Sequence, residues 1–416
     1  MSTNSTITHG EVLRVAIVAE NFLPKIDGST VTIAHLLQHI NRSHSRGEGG
    51  VQAMLFGPES GMAEYEGAAL FGTKGVPLRV YPGLKINFIS PAFLAALRAF
   101  APHIIHLIDP IWLGVQVLAA LPLLFPRARV VTSHHTNLPT YAAVFGYPYF
   151  HHRTWSLHTW FHSFAAFTLV PSWSSAELLR GKGWERLRVV GRGVDPAFCP
   201  TNRSAALRAS WGARPADVVV LSVGRLSVEK NLGLLVAAVA ALPPGVRART
   251  KLVFIGDGPF RGALARLCAA ARVDAVFTGQ LTGPALGAAF ASGDVMCAPS
   301  ITETFGQVTL QAMASGVPVV GLYVEGTADL VAHEGTGLLL DVHAPGIAAA
   351  GRRAKKEGRG GGWWAFVGGR GAQAVRPSSF LAPRRVLMEG RCRPRRARAR
   401  ARGGSLWAGG RRWCAR

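Results

Sequence analysis

From residue 12 onward the chain alternates short, nearly unbroken apolar runs with helical stretches. VLRVAIVAE (12–20), VQAMLFG (51–57), HIIHLID (103–109), RVVTSHHT (129–136), FTLVPS (167–172) and LRVVGRGVD (187–195) form a first series. A second comprises VVVLSVGRL (218–226), KLVFIGDG (251–258), AVFTG (275–279), VMCAPS (295–300), VPVVGL (317–322) and GLLLDV (337–342). Runs this continuous suit parallel strands covered on both faces. The segment DPAFCPTNRSAALRASWGARPAD between the two series is rich in Pro, Ala and Arg and lacks strand character. The pattern predicts an α/β protein of two doubly wound domains facing across a cleft, the first over 12–196 and the second over 212–342. In open parallel sheets ligands gather beyond the carboxyl ends of the strands, so the loops that follow these runs are where chemistry is expected.

At 416 residues and 49% hydrophobic content the chain has material for two or three ordinary cores. The polar, uncharged start MSTNSTITHG lacks the order of a secretory or transit signal. The longest apolar stretch, 111–125, has 15 residues and contains Pro122, too short and interrupted for a membrane span. Five cysteines (199, 268, 297, 392 and 414) show no paired spacing, which argues against both a disulfide framework and a zinc site and favours a reducing, cytoplasmic setting.

The net charge of +23 suggests a polyanion partner until it is located. Residues 351–416 hold 19 Lys/Arg against 2 Asp/Glu, a net +17, so the first 350 residues carry only +6. This tail, with KKEGRGGGWW and RPRRARARARGG, has no sustained period and reads as disordered over 345–416. Its composition and abrupt onset are those of a translated intron or shifted frame in GC-rich DNA. Nucleic acid is expected as a partner only through this tail.

Three features follow strands of the second series. GRLSVEKN places Arg225 and Lys230 past one strand end, and FIGDGP supplies a tight Gly-Asp-Gly turn. ITETFGQVTLQAMASG places Glu303 before Gly306 and a helix starting near Gln307, with Gln311 a turn further in. A helix start favours anions, and Arg and Lys complement phosphate oxygens. In the first series ENFLPKIDGSTVTI sets Gly28 where a helix begins, and SHHTNLP sets His134, His135 and Asn137 at a strand end. Each has a plain structural explanation when taken singly: a solvated loop, a turn, a hydrogen-bonded histidine. Their joint position at strand ends facing one cleft carries the functional reading.

VGRLSVEKN, FIGDGP, FTGQL, ASGDVMCAPSITETFGQVTLQAMASGVPVVG and SHHTNLPTY resemble the retaining GT-B glycosyltransferases of family 4, most closely sulfoquinovosyl-diacylglycerol synthases and related lipid or mannosyl transferases. The resemblance spans about residues 12–342. It implies two Rossmann-like domains, the second binding a nucleotide sugar and the first the acceptor. It further implies that Arg225 and Lys230 hold the donor diphosphate, that Glu303 contacts donor-sugar hydroxyls, and that position 311 contacts the ribose. Gly28 would bring backbone N–H to the phosphate, and His135 would sit by the reacting carbon. The implied partners are a UDP- or GDP-linked sugar, as substrate rather than cofactor, and a hydroxyl acceptor, with a membrane lipid such as diacylglycerol and peripheral membrane contact among the options. No Asp-x-Asp pair marks a catalytic metal site, and no metal is expected.

Two departures stand out. The family usually has Glu where this chain has Gln311, whose carbonyl still accepts from a hydroxyl but without the charge. Family members also continue past GLLLDV with closing helices that the basic tail here replaces, which implies a truncated second domain. The alternatives to an active transferase are an inactive product whose tail binds RNA or anionic membrane, and a GT-B sugar-nucleotide epimerase.

Overall fold

The computed structural model describes residues 12–24, 28–47, 50–77, 85–137, 140 and 150–341. The tail over 345–416 and residues 141–149 lie outside these. All described residues fall within one compact unit, Met1–Gly371.

The first sheet contains β1 (Leu13–Ala19), β2 (Val51–Pro58), β3 (Glu64–Tyr65), β4 (Ala68–Thr73), β7 (Ile104–Ile108), β8 (Arg129–Ser133), β9 (Phe167–Val170) and β10 (Leu187–Val189). A small antiparallel ribbon, β5 (Gly75–Pro77) with β6 (Lys85–Asn87), stands apart from it. The spatial order is β10-β9-β8-β7-β1-β2-β4-β3, parallel except for the β3–β4 pair. The second sheet holds β11 (Val218–Val223), β12 (Thr250–Ile255), β13 (Ala275–Gly279), β14 (Val295–Ala298), β15 (Val319–Leu322) and β16 (Gly337–Leu340), ordered β13-β12-β11-β14-β15-β16 and parallel throughout.

Strand alternation divides each sheet's side chains between two cores. In β11 and β12, Val219, Leu221, Val253 and Ile255 enter one cluster, while Val220, Leu252 and Phe254 enter another on the opposite face. Ala16, Val18, Phe56, Ile105 and Leu107 likewise oppose Ile17, Ala19, Leu55 and Ile108. Because successive side chains point to opposite faces, a strand packed by helices on both sides must be apolar at every position. That is why these strands are legible as unbroken runs. The segment between the series packs under the second sheet, with Phe198, Trp211 and Ala213 in its core.

Strand order reverses at β1/β7 in the first sheet and at β11/β14 in the second. Chains leaving the carboxyl ends of these neighbours depart to opposite sides, which opens a crevice at each point. The two crevices contribute to a single cleft of about 990 Å³, lined from β1 and β7 by Glu20 and Asp109 and from β11 and the loop after β14 by Arg225 and Glu303. Among the described residues no helix is long and apolar enough to cross a membrane.

Candidate active site between the two sheets

β11 is followed by Gly224 and Arg225, and β12 by Gly256-Asp257-Gly258. The two exits are zipped together by Gly224 N–H to the Ile255 carbonyl (2.9 Å), Leu226 N–H to the Asp257 carbonyl (3.0 Å) and Phe260 N–H to the Leu226 carbonyl (2.9 Å). The approach is close enough that a Cβ on Gly256 would overlap the Gly224 oxygen, and one on Gly258 the Leu226 oxygen. With φ of +136°, Gly256 is also in a region that L side chains rarely adopt. The Gly-Asp-Gly motif is thus the condition for laying the Arg225 loop against its neighbour.

After Arg225 the chain makes a 3-10 turn, Val228–Lys230, reverses through Asn231 at φ 52°, and enters the helix Leu232–Ala240. This carries Lys230 Nζ to 3.2 Å from Glu303 Oε2. Glu303 Oε1 accepts from Gly306 N–H at 3.1 Å. Gly306, at φ +88°, caps the helix Gln307–Ala314 as expected from the sequence. First-turn N–H groups of a helix have no intrahelical acceptor, and Gln307, Val308 and Thr309 line the cleft. Gln311 lines it too, one turn further in. Arg225, Lys230, Glu303 and Gln311 are therefore brought to one cavity, with Gly306 setting the start of the helix.

On the facing side, Gly28 opens the helix Gly28–Ser45 and lines the same cavity. A Cβ there would meet only Arg192 Nη1, at 3.4 Å, so the fold itself does not require glycine. His135 follows β8 and also lines the cavity. Its Nδ1 accepts from Arg192 Nη2 (2.6 Å), which leaves the proton on Nε2, 2.9 Å from Ser133 Oγ. Burial, then the Arg192 charge, then His106 and His134, hold its pKa well below the ordinary histidine value. His135 is a neutral imidazole with both nitrogens engaged. In this geometry it shapes the cleft wall, with Arg192 on one ring nitrogen and Ser133 on the other.

Three residues that sequence reasoning passed over organise this wall. Glu20, buried at the end of β1, accepts from the N–H groups of Ile111, Trp112 and Gly114 (3.1, 2.8 and 3.0 Å) and thereby anchors the start of the helix Leu113–Leu124. Asp109, buried after β7, accepts from His135 N–H (2.6 Å), Thr136 N–H (3.1 Å) and Thr136 Oγ1 (2.8 Å), and from Ser29 Oγ at 3.4 Å. Arg192 joins His135 to the Gly28 carbonyl (3.4 Å) and lies 5.2 Å over the Phe305 ring. The available signal was an acid directly after each apolar run at a switch point. For Arg192 it was a cation between Gly191 and Gly193. Those glycines also explain why the run 187–195 is a strand only over 187–189.

The two sides are latched. Thr304 Oγ1 donates to the His135 carbonyl (2.6 Å), and Ser172 and Ser175 donate to the Thr304 carbonyl (2.7 and 3.0 Å). Asn137 Nδ2 donates to Glu325 Oε1 (3.1 Å), and Gln307 Nε2 to the Gly193 carbonyl (3.1 Å). Burial raises the Glu325 pKa, while the bonds from Asn137 and Ser175 oppose the rise. The loop that bears Glu303 is thus fixed by the side of the cleft that bears His135.

Comparison with known proteins gives the same picture in sequence and in fold. Residues 204–356 match the family Glycosyl transferases group 1, and residues 26–198 match Glycosyltransferase Family 4. A GDP-mannose-dependent alpha-mannosyltransferase of Mycolicibacterium smegmatis is 36% identical over 341 residues, covering 79% of this chain and 85% of the relative. Sulfoquinovosyl transferase SQD2 of Arabidopsis thaliana is 35% identical over 281 residues, 66% of this chain and 53% of the relative. Among solved structures, a sucrose-phosphate synthase from Thermosynechococcus elongatus superposes with a TM-score of 0.64 at 20% identity, covering 86% of this chain and 93% of that one. Anabaena HepE in complex with UDP and glucose gives 0.61 at 19% identity, covering 85% and 92%.

Proposed function

The chain belongs to the glycosyltransferases of group 1 and family 4, and we propose that it moves a sugar, with retention of anomeric configuration, from a nucleoside-diphosphate sugar to a hydroxyl acceptor. The observation that carries this reading is the gathering of Arg225, Lys230, Glu303 and the start of the helix Gln307–Ala314 on one wall of a cleft whose other wall bears Gly28 and His135. In the proposed division the second sheet holds the donor and the first the acceptor.

The barrier to transfer is the separation of a diphosphate from an anomeric carbon that becomes positive. Two cations and a helix start aimed at the diphosphate stabilise that charge as it develops, without reorganisation. Glu303, held between Lys230 and Gly306 N–H, is placed to accept from donor-sugar hydroxyls. Of the five carboxylates that line the cleft among the described residues, Glu20 and Asp109 are occupied by backbone N–H groups, Glu303 by Lys230, Asp257 by Gly258 N–H and Arg261, and Glu229 accepts from Ser227 Oγ. This favours attack from the face that the diphosphate leaves over a covalent carboxylate intermediate.

The mannosyltransferase relative makes GDP-mannose the first donor to test, with UDP-sugars next. A lipid acceptor gains support from the helix Phe150–Ser163 beside the cleft. Its Trp155 and Phe161 are buried, while Leu157, Trp160 and the following Phe164 are about half exposed, the amphipathic arrangement of a face meeting a lipid interface. The test is release of nucleoside diphosphate from GDP-mannose, UDP-glucose and ADP-glucose with lipid and sugar acceptors, followed by NMR of the new anomeric centre. Transfer with retention is expected. An inverted product would overturn the mechanism, and absence of turnover with every donor would favour a non-catalytic protein.

A further inference from the structure

His134, His158 and His162 are buried together behind the His135 wall, and one ring nitrogen of each lies within 4.8 Å of those of the other two. We propose that these three imidazoles bind a divalent transition-metal ion of the zinc class, which pins the helix Phe150–Ser163 to the end of β8.

His158 and His162 are four residues apart on that helix and so share a face. His134 comes from the other direction, one residue past β8. His134 Nε2 and His158 Nδ1 are buried without a hydrogen-bond partner. Such orphaned groups are rare in a native interior and call for a partner. The third ring is oriented as a ligand would be: His162 Nδ1 lies 2.8 Å from Thr132 Oγ1, itself 2.7 Å from Thr168 Oγ1. A bond that holds the Nδ1 proton leaves Nε2 as the lone-pair donor, the usual outer arrangement around a metal-binding histidine. Trp184 closes the cluster, 4.1 Å from His162 and 5.5 Å from His134 between ring centroids, with its Nε1 donating to Thr159 Oγ1 at 2.8 Å.

Three neutral, buried nitrogens suit zinc and its neighbours rather than magnesium or calcium, which prefer oxygen. A tetrahedral ion with bonds of about 2.0–2.1 Å places its nitrogens roughly 3.4 Å apart. The nitrogen separations of up to 4.8 Å must therefore shorten by as much as about 1.4 Å, shared between two rings in each pair, and a fourth position stays open for water. Burial already lowers the pKa of His134 to about 3 and of His158 to about 4, and holds that of His162 well below its ordinary value. The ion would thus displace no proton near neutral pH. Its role is positioning: it fixes the backbone that presents His135 and Asn137 to the cleft, whatever sugar is transferred.

The test uses the full chain, stripped with a chelator and titrated with Co²⁺. We expect one equivalent to bind with the intense visible absorption of a four-coordinate nitrogen site, zinc to displace it, and zinc to raise Tm. His158→Gln and His162→Gln should each weaken binding at least tenfold, whereas a variant with both exposed residues changed, His39→Gln and His44→Gln, should bind as wild type does. If the buried variants do not fold, X-ray absorption at the zinc edge of the wild-type protein decides. About three imidazole nitrogens near 2.0 Å support the site. An oxygen shell, no bound cobalt, or undiminished binding in folded His158→Gln and His162→Gln would overturn it.

Discussion

Replacing Lys230 by Ala separates a group that acts on the departing diphosphate from one that only pairs with Glu303. The ion pair is 3.2 Å long, with side chains 27% and 24% exposed. Its gross Coulomb energy lies between about 1 and 5 kcal/mol across effective dielectrics of roughly 80 to 20. Desolvation and side-chain ordering offset most of this, leaving a net contribution to folding of about 0–1 kcal/mol. The variant should therefore melt within a few degrees of wild type. If Lys230 stabilises charge that appears as the glycosidic bond breaks, the same change should cost about 2–4 kcal/mol in the transition state, roughly a 30- to 1000-fold loss of kcat. The loss should fall on kcat more than on donor KM. Lys230→Arg should recover little, since a planar fork does not reproduce a compact charge on a flexible stem. Glu303 loses its cation and keeps only Gly306 N–H in Lys230→Ala, so adding Glu303→Gln should cost less than the two single losses combined. The assay is steady-state kinetics at saturating donor, with thermal melts as control. Unchanged kcat in a normally folded Lys230→Ala would refute the reasoning.

Gly28→Ala should leave Tm unchanged or slightly raised, because the added Cβ meets only Arg192 Nη1 at 3.4 Å and unfolded-chain entropy falls. Donor KM should rise severalfold if phosphate approaches that backbone, and unchanged KM in the folded variant would remove Gly28 from the site. Gln311→Glu should keep or tighten donor binding by about 0.5–1.5 kcal/mol, read by calorimetry, since it restores a charged acceptor for a ribose hydroxyl; a collapse in affinity would remove the ribose assignment. Burial lowers the His106 pKa from 6.5 to about 4, so the folded state resists a proton that the unfolded chain takes up. The stability it contributes is present above pH 6.5 and lost as pH falls toward 4, at up to about 1.4 kcal/mol per pH unit. His106→Gln should flatten the fall in unfolding free energy between pH 6.5 and 5, and an identical slope would contradict this.

The apolar runs announced the two parallel sheets because a strand buried on both faces must be apolar at every position, a property each strand carries alone. The helix starts at Gly28 and Gln307 and the Gly-Asp-Gly turn were legible for the same reason: local backbone geometry selects its residues within a few positions. The short strands β3 to β6 were not: β3, β5 and β6 hold only two or three residues, and β4, between β2 and β3, is buried only at Ala68 and Thr73, so none leaves a periodic apolar trace. Glu20, Asp109 and Arg192 escaped because their meaning lies in partners far along the chain, such as Ile111 for Glu20 and Gly28 for Arg192. His134, His158 and His162 carry no shared signal along the chain, because only the packing of the helix Phe150–Ser163 against the end of β8 brings their rings together. Sequence determined what each segment could become through its own pattern of burial. The tertiary structure decided which charges and rings meet, because a hydrogen bond or an ion pair acts over a few ångströms of space and carries no record of separation along the chain.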